Sequence, residues 1–173
     1  MNEVLKNIRE RRSCRKYKAD AVPAELIDAV VEAGLYAPSS LGEQSALIVA
    51  VSDKETRDKL SKLNARFTPK PDNDPFYGAP VVLIALARTA RDAQFCDGCV
   101  MLENMMLAAH SMGLGTVWIN QLKDTCGDAG VRKLLTAFGV PEDHDVYACC
   151  AIGTALGGAK APDRKAGATA IVE

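Results

Sequence analysis

The sequence predicts one layered domain of helices and strands, α+β or α/β, and three observations carry that reading. Four short apolar runs, at residues 46–51, 81–87, 115–119 and 147–152, have the length and the polar borders of buried strands. Between them lie stretches whose apolar residues recur at helical spacing. One of these, from Cys96 to Gly113, is apolar on most sides and reads as a central core helix. A chain of 173 residues with 48% hydrophobic residues is enough for one domain with its own core, so residues 1–173 are read as a single domain.

Taken in order, Val4, Leu5 and Ile8 mark a short amphipathic helix that delivers Arg11-Arg12-Ser13-Cys14-Arg15 at its end. An arginine there offsets the helix dipole. Three guanidiniums in five residues also repel one another unless an anion sits among them. Pro23 starts a second helix with Leu26, Ile27, Val30, Val31 and Leu35 on one face. It ends before the loop Ala37-Pro38-Ser39-Ser40-Leu41-Gly42-Glu43-Gln44, whose amides and hydroxyls suit a polar ligand and suit a plain turn equally. The strand at 46–51 is followed by Asp53, which caps a scaffold helix carrying Thr56, Leu60, Leu63 and Phe67. Residues 68–75, with three prolines, read as a mobile loop. Phe76 and Tyr77 then precede the strand at 81–87, each suited to cover a ligand or to fill the core.

In the central helix Asp97 is expected to cap the first turn, and Gly113 to supply the left-handed residue that ends it. The strand at 115–119 follows, Asn120-Gln121 begins a loop, and Ala129 to Gly139 form another amphipathic helix. After the strand at 147–152, residues 154–173 are rich in Gly, Ala, Lys and Pro and read as a tail without its own core.

A net charge of −1 with dispersed Lys and Arg offers no basic field for nucleic acid and no basic amphipathic stretch for a membrane surface. The start has no apolar signal region and the longest apolar run, 79–87, is far short of the ~20 residues that span a bilayer, so a cytoplasmic protein is expected. Six cysteines in that setting read as reduced thiols. Cys96-Asp-Gly-Cys99 at a helix start can be a redox pair or half of a zinc site; with no second CxxC, and with His110 and His144 at no ligand-like spacing, no metal site is assigned. No GxGxxG follows a strand, and no Ser-His-Asp set or nucleophile with a carboxylate pair is apparent.

Several of these segments together resemble the FMN-dependent nitroreductase family. Arg11-Arg12-Ser13-Cys14-Arg15 matches its opening Arg-Arg/His-Ser-x-Arg/Lys; Ala37-Pro38-Ser39-Ser40 with Gln44 matches its APSSxNxQP; and Asp97-Gly98, Asn104 to Ala109, Gly113-Leu-Gly115 and Trp118-Ile119 match its middle. Lys160, Pro162, Arg164 and Lys165 resemble its closing signature. The resemblance selects α+β, with a mostly antiparallel central sheet flanked by helices and completed across a homodimer. It implies that Arg11, Arg12, Ser13 and Arg15 hold FMN, with Arg11 and Ser13 near the phosphate and ribityl chain and Arg15 supporting the pyrimidine edge electrostatically, and that Lys160 and Arg164 clamp the phosphate from a dimer-wrapping tail. It further implies that Pro38, Ser39, Ser40, Gly42 and Gln44 touch the flavin bound mainly by the other subunit, and that a backbone amide near Asn120 or Gln121 reaches the flavin N5. The implied activity is ping-pong hydride transfer from NADH or NADPH to a small organic acceptor, such as a nitroaromatic or a quinone, with no catalytic side chain. Four departures stand out: Gly42 for the usual Asn, Ser45 for Pro, Glu103 for Gln, and Gly153-Thr154 where Gly-Tyr-Pro is usual. Gly42 and the thiols keep a non-catalytic FMN-binding or redox-sensing protein as the alternative, and a plain thiol or zinc protein as a third.

Overall fold

The computed structural model describes residues 1–90, 92–157, 159–165 and 167. Four strands, β1 (Leu47–Val51), β2 (Val81–Arg88), β3 (Gly115–Ile119) and β4 (His144–Gly153), form one sheet in the order β1-β2-β4-β3. Every neighbouring pair is antiparallel. The class is therefore α+β, and the parallel alternative that an alternation of helices and strands leaves open does not occur. Around the sheet stand α1 (Glu3–Glu10), α2 (Ala24–Leu35), α3 (Lys54–Ala65), α4 (Asp92–Ser111), α5 (Gln121–Thr125) and α6 (Ala129–Ala137).

β2 is a continuous apolar run because it is covered on both faces: Val81 to Ala87 are all buried. Val82, Ile84 and Leu86 meet Leu60 of α3, Leu122 of α5, and Val131 and Leu135 of α6. Val81, Leu83, Ala85 and Ala87 meet Val30 of α2 and Met101, Leu102 and Met105 of α4. Each large side chain buried in this way contributes roughly 1.5–3 kcal/mol, so the sheet and α4 form a rigid frame. α2 lies close against α4 because Gly34 has no side chain; a Cβ there would stand 2.8 Å from Met105 Cγ. Gly113, at φ +80, ends the α4 segment as expected.

α4 is covered on most sides, as expected of a core helix: Met101, Leu102, Met105, Met106 and Ala109 are buried, and Val100 and Phe95 are exposed. Three expectations need correction. α4 begins at Asp92, so Asp97 lies inside the helix and does not cap it, and Cys96 and Cys99 are not at a helix start. Asn120-Gln121 opens a short helix, α5, where a loop was expected. β4 starts three residues before the apolar run, at His144, because a bulge at Tyr147, opposite the Ala85–Leu86 step, breaks the period there. Residues 68–75 are tied down at their end by Asp74, whose carboxylate accepts from Arg57 Nη2, from Ser61 Oγ (2.7 Å) and from the amides of Phe76 (2.9 Å) and Gly78 (2.7 Å).

Candidate functional site

The predicted site residues fall into two groups at opposite ends of α4. At its C-terminal end lies the cation segment. The backbone leaves α1 at Arg11 (φ −53, ψ 133) and runs along the free edge of β3: Ser13 bridges Thr116 in parallel, and the Cys14 amide donates to the Thr116 carbonyl at 2.8 Å. Tyr17, buried, donates its hydroxyl to the Cys14 carbonyl at 2.7 Å; burial pushes that phenol up, so it stays a donor. Lys18 donates to Thr154 and Leu156 to Lys16, at 2.9 and 2.8 Å, which ties the segment to the chain leaving β4. Arg12, Ser13, Cys14, Gly115, His110 and Ala155 line a cleft of about 310 Å³, which Glu10 and Ala159 also border. Among the described residues no carboxylate stands within ion-pair distance of Arg11, Arg12 or Arg15. Arg11 Nη1 is buried without a hydrogen-bond partner. Three guanidiniums without an ion-pair partner, one of them lining the cleft and another holding an unused buried donor, fit an anionic group such as a phosphate.

At the N-terminal half of α4 lies the Pro38–Gln44 loop, bent into a 3₁₀ turn at Ser40–Gly42. Leu41, Gly42 and Gln44 all have left-handed φ, of 54, 70 and 49°. Asparagine tolerates that region almost as well as glycine, so Gly42 keeps the turn that the family's usual Asn would make and lacks only its side chain. Several hydrogen bonds hold the loop. Ser40 N donates to Asp97 Oδ1 at 2.9 Å, Gln44 N to Ser39 Oγ at 3.1 Å, and Gln94 Nε2 to Glu43 Oε2 and Ser45 Oγ, each at 3.3 Å, while His144 Nε2 lies 3.1 Å from the Ser45 carbonyl. Asp97, Gln94 and His144 were not among the predicted site residues, since an Asp, Gln or His inside an apolar stretch carries no sequence sign of what it holds.

From Asp97 to Ser111 the helix rises about 21 Å, at 1.5 Å per residue, so one chain does not bring these two groups together. Even so, the buried side-chain polar atoms left without a partner among the described residues all belong to them: Arg11 Nη1 and Thr116 Oγ1 to the first, Asp97 Oδ2 and Gln94 Oε1 to the second. Asn120 and Gln121 stand at the far end of β3 from Gly115, with Asn120 Nδ2 3.3 Å from Asp124 Oδ2. Lys160 and Arg164 are exposed, beyond the cleft-lining Ala159. Phe76 is core, and Tyr77 is not: held at φ +57 and 43% exposed, its ring lies 5.9 Å from the Arg15 guanidinium. Burial raises the Cys99 thiol, against the depression a redox pair needs, and Cys150 is pushed up to about 12 by burial. Among the described residues no group of three or more His, Cys, Asp or Glu could hold a metal, and no helix is long and apolar enough to cross a membrane.

Comparison with known proteins gives a consistent outcome. The sequence model of the nitroreductase family matches residues 8–154. A crystal structure of a nitroreductase with bound FMN from Bacteroides fragilis superposes with a TM-score of 0.93 and 36% identity, over 100% of both chains. A Methanothermobacter thermautotrophicus protein, provisionally named a NADH dehydrogenase/NAD(P)H nitroreductase, is 32% identical over 148 residues, 81% of this chain and 71% of its own. The FMN reductase [NAD(P)H] of Bacillus subtilis is 32% identical over 140 residues, 71% of this chain and 56% of its own length.

Proposed function

Because the chain belongs to the nitroreductase family, we propose that it is an FMN-dependent NAD(P)H oxidoreductase that passes hydride to small organic acceptors such as nitroaromatics or quinones. The observation that carries this reading is the Arg11 to Arg15 segment, whose three guanidiniums form no ion pair among the described residues, with Arg12 lining the cleft and Arg11 Nη1 buried without a partner. Such a cluster is stable when a doubly charged phosphate is among its ligands, at ~1.5–3 kcal/mol for each charge-assisted bond. Bound there, FMN supplies the hydride chemistry, and the protein needs no acid, base or nucleophile of its own.

Each residue then has a limited task. Arg11, Arg12 and Ser13 bind the phosphate and ribityl end, with Lys160 and Arg164 as the second half of the clamp. Arg15, steadied by the face of Tyr77, offers a fixed positive charge where negative charge develops on reduction. The 38–44 loop, some 20 Å away along α4, serves the flavin of a second copy, so the working unit is a homodimer with composite sites. The apolar residues left uncovered on α1 and on the outer side of α4 supply a surface for that pairing. With no second nucleotide fingerprint, NAD(P)H and the acceptor take turns in one slot, and kinetics are ping-pong.

The test is spectroscopic. The purified protein should carry about one FMN per subunit, and stopped-flow mixing with NADH or NADPH should bleach it, with recovery on adding a quinone or nitroaromatic. Bound FMN that neither nucleotide bleaches at millimolar concentration would leave a non-catalytic flavin binder or sensor, the role that Gly42 favours. A colourless protein that takes up no added FMN would end both readings.

A further inference from the structure

We infer that Asp97 is a positioning residue for the cofactor: it sets the left-handed turn of residues 39–45, and through that turn it governs how tightly FMN is held at the cation cleft of the second copy. This rests on the composite site proposed above. The turn is strained. Leu41 and Gln44 occupy a region that costs a non-glycine residue about 1 kcal/mol or more, and such conformations persist only where the surroundings over-determine them. Of the restraints on the loop, the bond from Ser40 N to Asp97 is the one in which a backbone amide of the turn itself donates to a carboxyl group on a rigid helix, and bonds to carboxylates are about twice as strong as neutral ones.

The choice of residue is itself informative. Asp97 is only 6% exposed, yet its Oδ2 has no partner; the residue lines a cavity of about 150 Å³ that Pro38, Ser39 and Gln44 also line. Burying a carboxylate with one idle oxygen is costly, and a side chain selected for packing alone would avoid it. Gln94, 2% exposed and one turn earlier on the same helix, repeats the pattern, with Nε2 on Glu43 and Ser45 and Oε1 unpartnered. Both residues grip the loop from below and leave its tip, Leu41, 83% exposed, so the turn is presented outward from its own subunit.

The experiment measures FMN affinity in the apoprotein by flavin fluorescence, beside apoprotein melting, for wild type, Asp97→Ala, Asp97→Asn, Ser40→Pro and Arg11→Ala. Ser40→Pro removes the donor without touching α4, and Ser39 is already extended (φ −129, ψ 149) as a proline requires of its predecessor. Asp97→Ala and Ser40→Pro should each weaken FMN about tenfold at a temperature where the apoprotein is folded, while Asp97→Asn, which keeps the acceptor, loses less than threefold. A co-expressed mixed dimer of Arg11→Ala with Asp97→Ala should regain one tight site per dimer, since one of its two sites then has both halves intact. If Arg11→Ala releases FMN while Asp97→Ala and Ser40→Pro bind it as wild type does, the inference fails and the flavin site stands. If the single variants weaken binding but the mixed dimer recovers none, the action across subunits is overturned. Should Asp97→Ala not fold, wild-type affinity in Ser40→Pro is enough to reject the inference. Failure of wild type to bind FMN sinks the site itself.

Discussion

Tyr77 shows how much a single carboxylate organises. Its φ of +57 is unusual for a bulky residue, and the four hydrogen bonds gathered by Asp74 impose it, two of them from the amides of Phe76 and Gly78 on either side. Burial alone would raise the Asp74 carboxyl, but the bonds from Ser61, Arg57, Phe76 and Gly78 outweigh it and hold the group below its ordinary value. A depressed folded pKa stabilises the protein above the unfolded value of about 3.9 and loses that contribution as pH falls through the folded one. Asp74→Asn should therefore cost about 2 kcal/mol at pH 7, read from denaturant midpoints, with the gap to wild type closing as pH falls below the ordinary carboxylate range. It should also free Tyr77 from Arg15 and change the KM for planar acceptors more than that for NAD(P)H; equal changes in both would make the Asp74 turn purely structural. The thiols respond to burial in the same way. Cys149 and Cys150 should stay silent to thiol reagents in the folded protein, and replacing Cys96 and Cys99 by Ser should leave FMN content and turnover within about twofold. The Arg11–Arg15 segment was legible in the sequence because its chemistry is written in adjacent residues. Asp97 was misread because an acidic residue near the start of an apolar run looks alike whether it caps a helix or grips a loop from inside one.

Among the elements, α1 is the one whose sequence pattern and burial disagree most. Val4, Leu5 and Ile8 form the apolar stripe that predicts a helix packed on a core, and the helix forms, but each of the three is at least half exposed. A side-chain bond, from Asn7 Nδ2 to the Leu107 carbonyl at 2.9 Å, fastens α1 to α4. The proposed homodimer accounts for the stripe, since covering three such side chains contributes roughly 1.5–3 kcal/mol each. Ile8→Glu should then shift sedimentation toward monomer and lower FMN affinity, even though Ile8 lies outside the cation segment. An unchanged dimer would show that α1 faces solvent. Strand positions were legible almost to the residue because β2 and β3 are buried on both faces and their apolar runs end where burial ends. What the sequence did not disclose, the start of β4 and of α4, lies where a bulge or a polar first turn separates hydrogen bonding from hydrophobicity.

On the scale of the whole molecule, cofactor and second copy should act on one folding equilibrium. Arg11 Nη1, Thr116 Oγ1, Asp97 Oδ2 and Gln94 Oε1 are buried polar atoms that a lone, empty chain leaves unused, and each such atom costs about 1–3 kcal/mol until it is paired. If both halves of each site are completed only in the FMN-loaded dimer, ligand and self-association bind the native state and not the unfolded one, and melting must depend on both concentrations. Free FMN at a hundred times its dissociation constant adds about 2.7 kcal/mol, which for a chain of this size raises Tm by about 5–10 °C. Dilution of the apoprotein should lower Tm further, because dissociation accompanies unfolding. Lys160→Ala and Arg164→Ala should reduce the FMN-induced rise, more so in high salt, without changing the apoprotein's dependence on protein concentration; Ile8→Glu should change that dependence and reduce the rise as well. Calorimetry over a hundredfold range of protein, with and without FMN, separates the two. A melting point that rises with FMN but is indifferent to protein concentration would mean that a single chain completes the site, and the 20 Å between its halves would then have to close within one subunit.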